Sequence, residues 1–165
     1  MWKRAYKNYG EWLGGVVYED PWLAGGHNGL SNAEDPREPQ EPYPRVVALR
    51  AMMNKFGLEN VPILMAGGVW YLRDWEHWFD NPEIGKIAFQ YGTRPLLTRE
   101  SPIPQGWKDR LPLIGEGDVL LHRFSPTGFY SSAVRNNLLR VLEGRTERQV
   151  DFRRKAGVDE AFNTE

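Results

Sequence analysis

Hydrophobic and polar positions change period several times along the chain, and each change predicts an element. Trp2, Tyr6, Tyr9 and Trp12 or Leu13 recur at roughly helical spacing, which predicts a short helix within residues 1–13. Gly14-Gly15-Val16-Val17-Tyr18-Glu19-Asp20-Pro21 is a β-branched and aromatic run closed by proline, the pattern of a buried strand. Residues 20–44 then hold Pro21, Pro36, Pro39, Pro42 and Pro44 with Gly25, Gly26 and Gly29, which predicts a long loop without a regular element. Structureless loops beyond about 12–15 residues tend to carry function, so this one draws notice.

From Pro44 onward Val46, Val47, Leu49, Met52, Met53 and Phe56 keep helical spacing, and Gly57 stands where a helix stops. Val61-Pro62-Ile63-Leu64-Met65-Ala66 is a continuous apolar run, read as a strand, and Gly67-Gly68 as a tight turn after it. Val69, Trp70, Leu72, Trp75, Trp78 and Phe79 predict a second helix, ended by Asn81-Pro82. Lys86-Ile87-Ala88-Phe89-Gln90-Tyr91 supplies a third strand closing at Gly92-Thr93. Strands alternating with helices at this spacing imply right-handed crossovers and a parallel sheet covered on both faces, an α/β fold. Three strands are too few to close a barrel and leave open edges.

The texture loosens near Glu100, which sets expected domains of residues 1–99 and 100–165. Val119-Leu120-Leu121-His122-Arg123-Phe124 is strand-like, and Phe129 to Leu142, with Val134, Leu138, Leu139 and Leu142, predicts one more helix. The charged, weakly patterned end, residues 152–165, reads as a mobile tail.

Aromatic residues make up 13% of the chain within a hydrophobic share of 41%, enough for a real core. With 21 Lys+Arg against 22 Asp+Glu and no long run of one sign, there is no field to hold a polyanion, so nucleic acid is not the expected partner. The absence of cysteine excludes disulfides, thiolate metal sites and cysteine nucleophiles. No apolar stretch approaches the roughly 20 residues of a spanning helix, and the N-terminus is too polar for a signal peptide, so a cytoplasmic protein away from membranes is expected.

Three loops hold the candidate chemistry. In Ala66-Gly67-Gly68, glycines between a strand and a helix let backbone amides approach an anion, and the helix N-terminus adds donors and its dipole. The plainer reading is a tight turn that needs positive backbone angles. Gln90-Tyr91-Gly92-Thr93-Arg94 ends the neighbouring strand with an amide, a hydroxyl and a guanidinium close together. In parallel barrels phosphate sites are built from such adjacent loops, although Arg94 also suits a surface salt bridge and Thr93 a helix cap.

His27, within Ala24-Gly25-Gly26-His27-Asn28-Gly29, is the side chain suited to take a proton near neutral pH, with glycines leaving room around it. An ordinary hydrogen-bonded loop histidine is the alternative. His77, among tryptophans, and His122, beside an apolar run, read as structural. The three histidines lack metal-ligand spacing, so no metal site is expected. The Trp-rich stretch 70–79 reads as a core face. No Gly-x-Ser-x-Gly or Walker-type motif occurs.

Taken together, Leu23-Ala24-Gly25-Gly26-His27-Asn28-Gly29, Pro62-Ile63-Leu64-Met65-Ala66-Gly67-Gly68-Val69 and Phe89-Gln90-Tyr91-Gly92-Thr93-Arg94 resemble the nitronate monooxygenase family, formerly 2-nitropropane dioxygenases. Residues 125–149 also look like a segment of one bacterial branch of it. The resemblance implies the C-terminal part of a (β/α)8 TIM barrel and flavin mononucleotide as cofactor. It implies alkyl nitronate or nitroalkane and dioxygen as small-molecule substrates. It makes His27 the catalytic base and places Ala24, Gly25, Ala66, Gly67, Gly68, Gln90, Gly92 and Thr93 against the flavin. The family's opening strands have no counterpart here, which leaves three alternatives open: an inactive barrel fragment, a homo-oligomer or partner-completed sheet, and a related flavin-dependent reductase using a nicotinamide donor and an enoyl substrate.

Overall fold

The computed structural model of the chain describes residues 7–27, 29–31, 34–115, 117–124 and 128–143, and the backbone of 151–155 and 158–163. The chain divides into two compact units, Met1–Asp20 with Gln40–Thr98 and Pro21–Pro39 with Arg99–Glu165. Residues 21–39 group with the C-terminal part, because a short strand inside that loop pairs with a strand beyond residue 130.

The first unit opens with a helical turn over residues 7–12; Trp2 and Tyr6 of the expected helix lie outside the described residues. Strand β1 (Val16–Glu19), helix α1 (Pro42–Asn54), strand β3 (Ile63–Ala66), a 3-10 segment (Leu72–Trp78) and strand β4 (Ile87–Gln90) follow. The strands form a parallel sheet in the order β1-β3-β4, with Val16 opposite Ile63 and Ile63 opposite Ile87. The fold is thus mixed α/β with a three-stranded parallel sheet, and the strands do not close a barrel. Helix α1 starts at Pro42, inside the stretch read as loop. Pro42 and Pro44 sit in its first turn, where amide protons have no helical acceptor and proline is tolerated.

One face of the sheet carries the core. Val16, Ile63 and Met65 pack there with Val46 and Met53 of α1 and with Leu58, Val69, Trp78 and Ile84. On the other face stands the row Val17, Leu64 and Ala88; Val17 is 54% exposed, Leu64 and Ala88 are half-buried and Ala66, two residues along from Leu64, is buried, so that face is covered in part.

The Trp-rich stretch is not an α-helix. It is a 3-10 segment with non-helical angles at Trp75. Trp75 and Trp78 sit three apart, the period of a 3-10 turn, and meet edge-on at 4.9 Å between ring centroids. Trp78 is buried, as a core face requires, whereas Leu72 and Phe79 are exposed.

Arg50 lies on the apolar side of α1, four residues after Val46 and three before Met53, and is only 3% exposed. Its guanidinium donates to the carbonyls of Leu58, Glu59, Val61, Ile84 and Lys86. It thereby ties both the segment entering β3 and the segment entering β4 to one helix. Burial pushes its pKa below the ordinary arginine value. Gly85 lies against it at φ +69°, and a Cβ there would sit 3.1 Å from the Arg50 Nε. Gly85→Ala is expected to cost about 1–3 kcal/mol from backbone strain and crowding, measured by urea unfolding.

In the second unit β2 (Gly26–His27), β6 (Ser131–Val134) and β5 (Val119–His122) form an antiparallel sheet in that order. Helix α2 (Gln105–Arg110) precedes β5, and α3 (Asn137–Glu143) follows β6. One expectation is corrected. The stretch 129–142 is a strand followed by a helix, because Ser131–Val134 finds the apolar run 119–122 as a hairpin partner and only Leu138, Leu139 and Leu142 keep helical spacing. Strands β7 (Asp151–Lys155) and β8 (Val158–Asn163) form a hairpin whose register sets Arg153 opposite Glu160 and Arg154 opposite Asp159. Among the described residues no helix is long and apolar enough to cross a membrane.

Candidate functional site

The structure brings two of the three candidate loops together, at the C-terminal edge of the parallel sheet. Parallel pairing sets Glu19, Ala66 and Gln90 side by side as the last residues of their strands, so the chain leaves β3 and β4 at neighbouring points. Gly67 and Gly68 turn at φ +91° and +70°, a conformation that glycine adopts without the Cβ clash of other residues. Gly92 is different. Its φ is not in that region, and a Cβ built there meets nothing within 4 Å, so neither backbone nor packing among the described residues calls for glycine.

The backbone hydrogen bonds formed outside helices and strands among the described residues include none donated by the amides of Gly67, Gly68, Gly92 or Thr93. Thr93 occupies the N-cap position of the 3-10 turn Arg94–Leu97, yet its side chain makes no capping bond. The reading of Thr93 as a helix cap is therefore not what the geometry shows. Among the described residues Arg94 forms no salt bridge: its Nη1 donates to the carbonyl of Trp70 at 2.7 Å, and the guanidinium lies over the rings of Tyr71 and Tyr91 at 5.0 and 5.6 Å. It ties the loop after β3 to the loop after β4. The expected helix N-terminus behind Gly68 is missing, since Val69 to Tyr71 intervene and Tyr71 is extended. Any anion here would be met by donors of the two loops rather than by a helix N-terminus.

Asp20, which the sequence reading passed over, is 1% exposed just beyond β1, and its amide donates to the Ala66 carbonyl at 2.8 Å. The buried carboxylate borders the same edge.

Ala24, Gly25 and His27 belong to the second unit. Ala24 is buried, while Gly25 and His27 are exposed; Asn28 lies outside the described residues. A Cβ at Gly25, Gly26 or Gly29 meets nothing within 4 Å, and Gly26 and Gly29 take φ of +70° and +74°. The loop is therefore open around His27, whose backbone pairs with Ser131. The nearby acids are locally engaged. Glu34 accepts from the Ser31 amide, and Asp35 accepts both the backbone amide and the guanidinium of Arg37. The hydrogen bonds from Arg37 hold the Asp35 carboxyl at about 2, below its ordinary value.

His77 accepts the indole N–H of Trp78 at 2.8 Å on its Nε2 and stacks near Tyr43, a structural setting. Among the described residues no group of three or more histidine or acidic side chains could hold a metal ion. Ser131 was not singled out from the sequence, because only the strand pairing shows that it stands between two histidines. Comparisons of the chain with models of known protein families, with characterised proteins and with solved structures found no match.

Proposed function

We propose that this chain carries the phosphate-binding edge of a flavin mononucleotide site in a nitronate monooxygenase-like oxidoreductase, with the parallel sheet forming part of a (β/α)8 barrel. The observation that carries the reading is the paired glycine turn. Two adjacent strand ends present the amides of Gly67, Gly68, Gly92 and Thr93, and Gly92 leaves empty the space that a side chain would fill. Clustered backbone amides are suited to a phosphate dianion, and Gly67 and Gly68 add the positive-φ turn that such cradles use. The donor set thus fits the phosphate of a flavin nucleotide. The apolar row Val17, Leu64 and Ala88 on the partly exposed face suits the interior of a barrel, where further strands would bury it.

In this reading Gly67, Gly68, Gly92 and Thr93 bind the phosphate, and Ala66 and Gln90 frame it. Arg94 holds the two loops in mutual register through the Trp70 carbonyl. The flavin supplies, when bound, the electron uptake that lets dioxygen convert an alkyl nitronate to a carbonyl compound and nitrite. His27 takes the α-proton when the substrate arrives as the neutral nitroalkane; a preformed nitronate does not need that step. The open glycines beside His27 admit the substrate carbon.

The chain supplied with flavin mononucleotide is expected to release nitrite and consume dioxygen with propyl-2-nitronate. His27→Ala should keep most nitronate turnover and lose at least about 100-fold on neutral 2-nitropropane, in line with the usual worth of a general base. Flavin-bound chain that releases no nitrite from the nitronate rejects the reading. The partly exposed face and free edges of the sheet favour a second one, in which this unit is a structural half that binds flavin only after further strands cover it.

A further inference from the structure

Directly opposed residues of an antiparallel pair carry their side chains on the same face of a sheet. In β2-β6-β5, His27 stands opposite Ser131 and Ser131 opposite His122, so imidazole, hydroxyl and imidazole form one row across three strands. Opposed Cβ atoms lie about 4.5–5.5 Å apart, which puts the hydroxyl within rotamer reach of either ring. Ser131 is 3% exposed, and its Oγ has no hydrogen-bond partner among the described residues. A buried hydroxyl in that state is uncommon, and it can both donate and accept. The charged side chains around the row are engaged with other groups: Arg123 lies over Tyr130, Arg135 pairs with Glu143, and Arg37 pairs with Asp35. His27 is exposed and His122 half-buried, so the row runs from solvent inward.

We propose that Ser131 is a positioning residue for His27 and joins it to His122 as a proton relay across the sheet, an inference that rests on His27 being the base. One ring nitrogen of His27 accepts the α-proton of the substrate, and the proton on its other nitrogen passes to the Ser131 hydroxyl. The hydroxyl's own proton passes to a ring nitrogen of His122. No bond other than these N–H and O–H bonds changes, and the single positive charge moves from the exposed ring to the inner one. Ser131 also selects which nitrogen of His27 faces the substrate, because a neutral ring donates from one nitrogen only.

The test is the tautomer state of each histidine in the 165-residue chain labelled with 15N-histidine, read well above the ordinary imidazole pKa of about 6.5. His27 and His122 are each expected in one tautomer, and Ser131→Ala is expected to return both to mixtures while leaving His77 unmoved. Ser131→Thr, which keeps the hydroxyl, should restore single tautomers. Ser132→Ala, on the opposite face of the same strand, should change nothing. If the alanine chain loses the β5-β6 backbone resonances, Ser131→Cys, close in size with a weak donor, gives the same reading. Unchanged tautomers in both Ser131→Ala and Ser131→Cys, or an equal change in Ser132→Ala, overturn the relay. The readout needs no flavin, so a chain that shows the coupling but binds no flavin sustains the relay and rejects the cofactor assignment.

Discussion

Alanine in place of Arg50 is expected to lower the unfolding free energy of the parallel-sheet unit by about 3–5 kcal/mol, the range for breaking a buried charged hydrogen-bond network. Five carbonyls, from Leu58, Glu59, Val61, Ile84 and Lys86, lose their common donor, and these segments lead into β3 and β4. Arg50→Lys should recover only part, because an ammonium offers three donors from one point whereas the guanidinium fork reaches five acceptors spread along two segments. Arg73→Ala, whose side chain is 72% exposed, should stay within about 0.5 kcal/mol. Urea unfolding followed by the fluorescence of Trp75 and Trp78 measures all three. A loss below about 1 kcal/mol for Arg50→Ala would show that the carbonyls find other donors and that the guanidinium is not the tie between the strands.

Gly92→Asp is expected to weaken flavin mononucleotide binding by at least about 100-fold while leaving stability unchanged. The position takes no positive φ and has no atom within 4 Å of a new Cβ, so the fold has no reason to object. A carboxylate there puts like charge beside the phosphate and fills the space the phosphate needs, at a cost of about 3 kcal/mol or more in a partly desolvated site. Gly67→Asp is a poorer probe, because φ +91° strains any side chain and mixes folding with binding. Equal flavin affinity in the wild-type chain and Gly92→Asp would remove the β4 loop from the site.

The parts of this fold that could be read from the sequence are those whose signal is local. Val16–Glu19, Ile63–Ala66 and Ile87–Gln90 are short apolar runs bounded by glycine or proline, and α1 carries its apolar face in its own spacing. Their alternation implied the parallel order that the sheet adopts. The antiparallel sheet of the second unit was not legible, because a two-residue strand has no period and its pairing spans more than 100 residues of chain. For the same reason Ser131 gave no signal: its neighbours are set by register, not by sequence distance. The Trp-rich stretch misled because tryptophans three apart satisfy both a helical and a 3-10 period.

The glycine turns were legible as turns. Positive φ at Gly67 and Gly68 is what either a tight turn or an anion cradle requires. That Gly92 needs no such angle is visible only in coordinates. Arg50 had one clue in the sequence, a charged residue at an apolar-face position between Val46 and Met53. What it holds became visible only with the carbonyls in place.

The proposed phosphate cradle is tested most directly by titrating the wild-type chain in parallel with flavin mononucleotide and with riboflavin, which share the ring and differ in the phosphate. A saturable change in the flavin spectrum, at least about tenfold tighter for the mononucleotide, is expected if the amides of Gly67, Gly68, Gly92 and Thr93 hold a phosphate. Equal affinity for the two, or no saturable change with either, would contradict the assignment of these loops to a flavin phosphate.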